Sequence, residues 1–196
     1  MGESSPEPYD DDAELHAEWA RQAQEFRLEQ WRKRIPPSMR TPGELDPRIV
    51  SWVNDLVRRS PNNLLMVGPV GVGKTWSCWH AADAAIAAGW DGDPTVVGAY
   101  EWKLLITPPV NEMDVRDIAR SSLLVLDDPG AMRLGAWELE HMYGVIDYRW
   151  NHRLPTIITS NVPDLRAMLG ERIASRLAAN VTVVVLDGPD RRREGK

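Results

Sequence analysis

Cysteine appears once, as Cys78, in a chain of 196 residues. A single thiol excludes a disulfide framework and a cysteine-built zinc site. Its place in an Ala-rich stretch predicts a small buried residue. Long hydrophobic runs are missing too, so no segment reads as a membrane span. Residues 1–18 carry seven acids and no Lys or Arg. That is the reverse of the charge a secretory or organellar leader needs, and a cytoplasmic protein with no membrane contact is the expectation. Excess positive charge is also lacking. The net charge is −6, and outside the acidic start the balance is only +1. Such a body is no general polyanion binder, so any nucleic-acid contact must be a local patch or an assembled channel. Phenylalanine is nearly absent, one against nine tryptophans, and composition alone offers no physical reason.

One stretch is far more informative. Gly68-Pro69-Val70-Gly71-Val72-Gly73-Lys74-Thr75 is a complete GxxxxGK[ST] loop. At ordinary residue usage it would arise by accident in about one chain in a hundred of this length. Its backbone N–H groups wrap a polyphosphate, so side chains must vanish at the closest approaches, and glycine supplies that. Lys74 puts a point charge on the β- and γ-phosphates, and the Thr75 hydroxyl is placed to ligate Mg²⁺. Context agrees. Asn63–Val67 is a short apolar strand, and Thr75-Trp76 opens a long Ala-rich helix. ATP with Mg²⁺ is the expected ligand, with residues 68–76 as its cradle.

Around the loop the chain alternates between apolar runs and helical patterns. Residues 1–12 read as an acidic disordered tail. Residues 13–40 read as a helix over 13–35 followed by a Pro-rich linker, and residues 41–196 as the nucleotide domain. In the first helix, Leu15, Trp19, Ala23 and Phe26 form one stripe, with Leu28, Trp31 and Ile35 on a neighbouring one. That helix either packs on its own domain or docks a partner. Further helices are expected over 48–59, 74–88, 101–106, 115–119, 135–152, 164–169 and 171–179. Strands are expected over 64–67, 95–99, 123–126, 156–159 and 181–186. Five strands separated by helices mean an α/β fold with a parallel sheet.

Three further segments carry candidate chemistry. Leu123–Leu126 is a solid apolar strand ending in Asp127 and Asp128. Asp127 is placed to hold Mg²⁺ through water, and Asp128 to polarise the attacking water. Aspartate is one methylene shorter than glutamate, so slow hydrolysis is expected. Asn161, at the end of Thr156–Ser160, is placed to reach the γ-phosphate or the lytic water. Arg172 and Arg176 share a helix face at i and i+4. They form either a salt-bridged face or a source of an arginine that completes a neighbouring subunit's site. Arg191, Arg192 and Arg193 follow the last strand, as either a nucleotide contact or a basic tail.

This ordered set resembles the ATPase domain of bacterial helicase loaders of the DnaC/DnaI type, and the related IstB transposition ATPases. Both belong to the AAA+ superfamily. The resemblance covers about residues 35–193. It rests on Ile35–Arg40, Asn63-Leu64-Leu65 with the P-loop, Leu126-Asp127-Asp128 with Gly130, Tyr148-Arg149, Pro155-Thr156, Thr159-Ser160-Asn161 and Gly170–Leu177. It implies a five-stranded AAA+ core without a large helical lid. Asn161 then stands at the sensor-1 position. Arg176 matches the arginine finger acting in trans, with Arg172 beside it. Arg192 or Arg193 falls near sensor 2, and Arg193 is the residue assigned to the nucleotide. Pro129 departs from the family pattern, where an aliphatic residue is commoner.

The resemblance implies an ATP-assembled loader that grips a DnaB-type replicative helicase through residues 13–35 and places it on single-stranded DNA. The short leading segment fits a compact loader of the kind a bacteriophage encodes. The alternatives are an IstB-like ATPase that remodels duplex DNA for a transposase, and a nucleotide-gated adaptor with negligible turnover. The small basic excess argues against the transposase role, because duplex binding without a partner needs many phosphate contacts.

Overall fold

A computed structural model describes residues 11–60 and 62–191. The tail expected over 1–12 lies outside them, apart from Asp11 and Asp12, which open the first helix. The elements are α1 (Asp11–Arg34), a 3-10 turn (Pro37–Met39), α2 (Pro47–Val57), β1 (Asn63–Val67), α3 (Lys74–Ala87), β2 (Pro94–Gly98), α4 (Ala99–Leu105), α5 (Glu112–Arg120), β3 (Leu123–Asp127), α6 (Ala136–Asn151), β4 (Thr156–Ser160), α7 (Arg166–Ala178) and β5 (Val181–Val185). All five expected strands are present, in the order β2-β3-β4-β1-β5, and every pairing is parallel.

Local chemistry sets the boundaries. The Asp46 carboxylate accepts from Arg48 N at 2.9 Å ahead of Pro47, capping α2. The Asn111 side chain does the same for α5 through Met113 N at 3.1 Å. The helices expected over 164–169 and 171–179 are one element broken at Gly170, whose φ of 78° only glycine takes cheaply.

Strand alternation divides the interior into two layers. Leu64 and Met66, Leu123 and Val125, and Ile157 face α1, α2 and α3. Leu65 and Val67, Leu124 and Leu126, and Ile158 face α4 to α7. Both faces are covered, which is why these strands read as continuous apolar runs.

α1 divides along its length. Trp31 and Ile35 join the first layer at 2% and 4% exposure, whereas Leu15, Trp19 and Phe26 are exposed. Trp31 Nε1 donates to Trp79 O, Arg32 pairs with Asp83, and Gln24 Nε2 donates to Ile86 O and Ala87 O. The stripe of Leu28, Trp31 and Ile35 is therefore the packed one.

On α6, Trp137, His141, Val145 and Tyr148 share a face, lining a groove against α5. The buried residues are Met142, Val145, Ile146 and Arg149. Tryptophans tie elements together in a way phenylalanine cannot. The indole N–H groups of Trp52, Trp76, Trp102 and Trp137 donate to the carbonyls of Asn62, Thr41, Glu138 and Ile106.

Candidate functional site

The P-loop connects the top of β1 to α3, which opens at Lys74. Its glycines answer to close approaches. A Cβ on Gly68 would sit 2.2 Å from Leu186 O, because the loop starts against the end of β5. Gly71 has a φ of 84°, and a Cβ there would strike the Asp190 carboxylate at 1.9 Å. Val72 is buried beneath the loop and anchors it. The Lys74 ammonium donates to Gly68 O at 2.6 Å, Pro69 O at 2.8 Å and Asn161 Oδ1 at 2.8 Å. The cation thus lies in the mouth of the loop, where phosphate oxygens can replace its carbonyl partners.

β3 and β4 bring the polar groups together. Thr75 Oγ1 donates to the Asp127 carboxylate at 2.9 and 3.1 Å. Thr159 Oγ1, fully buried, donates to Asp127 Oδ1 at 2.7 Å and accepts from Asp128 N at 2.8 Å. Asn161 Nδ2 donates to Asp128 Oδ2 at 3.1 Å, so one amide bridges Lys74 and Asp128. Asp128 is held at a φ of 45°. That left-handed conformation costs a non-glycine residue about 1–2 kcal/mol, and such strain concentrates at functional sites.

The donor set suits Mg²⁺. Thr75 and Asp127 offer hard oxygens side by side, and Mg²⁺ is bound by one or two such groups plus phosphates and water. No cluster of three or more His, Cys, Asp or Glu among the described residues could cage an ion by itself. The site fits Mg²⁺ arriving with a nucleotide. Cys78, buried one turn along α3, has its thiol pushed well up, by desolvation first and then by the Asp127 charge.

A cavity of about 580 Å³ opens over these groups. Val70, Gly71, Gly73, Lys74, Thr75 and Trp76 form its floor, with Asp128, Thr159 and Asn161 at one side. Gly68, Pro69 and Val72 shape the loop from outside the cavity. Ser38, Met39, Thr41 and Pro42 of the linker also line the cavity. Trp76 Nε1 donates to Thr41 O at 3.0 Å, its ring stacks on His80 at 4.0 Å, and His80 Nε2 lies 2.8 Å from Met39 O.

Residues 38–171, more than half of the chain, match the family described as IstB-like ATP binding protein. The chain belongs to that family. This IstB-like protein is 29% identical over 140 residues to the ATP-binding protein of insertion sequence IS1162 from Pseudomonas fluorescens. That match covers 64% of this chain and 55% of the relative, so the chain spans about half of the relative's length. Among solved structures, the DnaC helicase loader superposes with a TM-score of 0.62 at 25% identity, over 75% of this chain and 93% of that one. DnaI superposes with a TM-score of 0.64 at 22% identity, over 81% of this chain and 95% of that one. The fold is an AAA+ P-loop NTPase core, and the family to which the chain belongs is one of ATP-binding proteins.

The arginines expected from the sequence divide between two places. Arg191 lines the nucleotide cavity, and its N donates to Gly71 O at 3.1 Å. Arg192 and Arg193, the expected sensor-2 candidates, lie outside the described residues. Arg176 is far from its own cavity. Its Nε donates to Asp147 Oδ1 at 2.7 Å, Nη2 to Tyr143 Oη at 2.8 Å, and Nη1 to Arg172 O at 3.2 Å. Arg172 is exposed beside it. No helix among the described residues is long and apolar enough to cross a membrane.

Two residues escaped sequence reasoning. Thr159 stood in a noted motif, but only the parallel pairing of β1, β3 and β4 shows it reaching both acids. Arg149 is 1% exposed, and donates to Pro155 O, Ala119 O, Ser121 O and Thr156 Oγ1. Burial lowers its guanidinium to about 9, which leaves it charged at neutral pH. A charged residue in an amphipathic helix gives no sign that it is a buried clamp.

Proposed function

We propose that this protein is an ATP-assembled loader of a replicative helicase. The observation that carries the reading is the division of α1. Its C-terminal turns are fixed on the domain by Trp31 and Ile35, while Leu15, Trp19 and Phe26 remain exposed. An exposed aromatic stripe on a firmly anchored helix suits docking into a partner's groove. The helicase would supply most of the affinity for single-stranded DNA, in keeping with the near-neutral body.

The P-loop would hold ATP, with Lys74 moving from its loop carbonyls to the β- and γ-phosphates. Mg²⁺ held by Thr75 and Asp127 would neutralise charge on those phosphates. Asp128, released from Asn161, would orient the attacking water, slowly because of its short side chain. Asn161 would follow Lys74 toward the γ-phosphate, and Arg191 would contact the nucleotide in cis. Arg176 would complete the site of a neighbouring copy.

The family match and the IS1162 relative favour a second reading, an accessory ATPase that acts on duplex DNA for a transposase. Light-scattering chromatography with the replicative helicase of the source cell separates the two. Deleting residues 1–35 would strip Trp31 and Ile35 from the core, so the informative variant is Trp19→Ala with Phe26→Ala. A defined complex with the intact protein, lost in this variant at unchanged melting temperature, supports the loader. Absence of any complex with or without ATP, together with salt-sensitive duplex binding, favours the transposition ATPase.

A further inference from the structure

Between α5 and α6 runs an open groove of about 650 Å³. Val115 and Ala119 of α5 and Val145 and Tyr148 of α6 make it largely apolar, and all four belong to the core layer across the sheet from α1. Its ends are fixed. At one, the exposed Trp137 donates its indole N–H to Ile106 O at 2.9 Å and sets its ring 4.2 Å from His141. At the other, Tyr148 stacks on His152 at 3.9 Å. Gly144 stands exposed between them, in the middle of α6. Glycine weakens a helix interior, so its presence needs a packing reason. None of the described residues supplies one, because a Cβ there would meet nothing within 4 Å. The space over Gly144 suits a side chain from another molecule.

α1 carries such side chains. Leu15, Trp19 and Phe26 are exposed. At about 100° per residue they point away from Gln24 and Trp31, which tie the helix to α3. Leu15 and Phe26 are eleven residues apart, as are Trp137 and Tyr148, about 16 Å along a helix in each case. Laid antiparallel in the groove, Leu15 faces Tyr148, Phe26 faces Trp137, and Trp19 falls opposite Gly144. Parallel packing would set Trp19 on His141 and Gln22 over the glycine. Charge agrees with the antiparallel seat. Glu14, Glu18 and Glu25 flank the stripe on one side, and Arg116 and Arg120 line the α5 wall. Arg120 has no ion pair among the described residues, and Arg116 has only an exposed one with Glu112 at 3.1 Å. Two cations, Glu140 and an apolar floor make a poor track for a nucleic acid, which needs a run of positive charge.

We infer that the groove between α5 and α6 seats the α1 stripe of a second copy, with Trp19 filling the space over Gly144. A chain cannot fill its own groove, because its stripe and groove lie on opposite faces of the sheet. The contact is therefore heterologous and repeats from copy to copy. It needs no nucleotide. It goes beyond the proposed function by giving the stripe a second seat, from which a bound helicase displaces it.

Gly144→Gln tests this, since it fills the space with a residue that favours a helix. The melting temperature should hold or rise. Sedimentation without nucleotide should show mass rising with concentration for the intact protein, and equally for Lys74→Ala, whose P-loop is disabled. Gly144→Gln and Trp19→Ala should each weaken this association at least tenfold. Arg120→Glu should weaken it too, and mixing that variant with Glu18→Lys, Glu25→Lys protein should restore association between the two. A helicase complex should survive Gly144→Gln, because the stripe is intact. Absence of concentration-dependent mass in the intact protein, or unchanged association in Gly144→Gln, would overturn the inference. So would normal association in Gly144→Gln with loss of the helicase or of a single-stranded oligonucleotide, which would assign the groove to that partner. Absence of any helicase complex with the intact protein sinks the loader reading alone.

Discussion

Thr159 carries no charge and no exposed surface, yet its hydroxyl touches both acids of the site. Thr159→Val keeps the shape and removes the hydroxyl, freeing Asp127 and the Asp128 amide to shift. Turnover should fall by about 10–100-fold, the size expected when a catalytic group is slightly misplaced. Affinity for ATP measured in EDTA should not change, and Thr159→Ser should restore turnover. Equal loss of metal-free affinity would mean that Thr159 only holds the fold. Arg149 works at the same scale in a structural role. Arg149→Met leaves several buried carbonyls without a donor, at about 1–3 kcal/mol for each unsatisfied group. Melting should drop by roughly 6–12 °C for a net loss of about 3 kcal/mol in a chain of this size. A drop under 2 °C would show that the carbonyls find other donors.

The helices next to the site each link two jobs. α3 begins at the phosphate loop and carries the ring and carbonyl contacts that hold α1, so the loop and the leading helix share one rigid element. Its tryptophans reach out in two ways: the Trp76 indole donates to Thr41 O, while Trp79 meets the Trp31 ring and accepts from its indole N–H. α1 then divides into an anchor and a free stripe. Trp31→Ala should destabilise by about 3–5 kcal/mol, as large core truncations do. Trp19→Ala should stay within about 0.5 kcal/mol, as exposed substitutions do. Chemical denaturation of both variants checks the division. A similar loss in both would mean that the stripe packs on the domain.

For the whole molecule, ATP binding should appear as stability. A ligand at a hundred times its Kd adds about 2.7 kcal/mol to a fold that binds it only when native. With Mg²⁺ present, melting should rise by roughly 5–10 °C. EDTA should remove part of that gain, because Thr75 and Asp127 then lose their shared ion, and Lys74→Ala should abolish it. A full gain in Lys74→Ala would contradict the role given to the P-loop.

Much of the fold was legible in the residues. The P-loop announces itself because polyphosphate binding demands glycines at fixed spacing. The five strands announce themselves because a sheet covered on both faces needs continuous apolar runs. Helix ends at Pro47 and Gly170 follow from backbone chemistry that acts within a few residues. The amino-acid order therefore determined the elements, the nucleotide loop and the candidate acids Asp127 and Asp128. Tertiary structure alone decided what depends on residues distant in the chain: which stripe of α1 packs, that Thr159 spans the two acids, and that Arg149 is a buried clamp. Periodicity reports which residues share a face. Only the packing of other elements reports which face is covered, and by what.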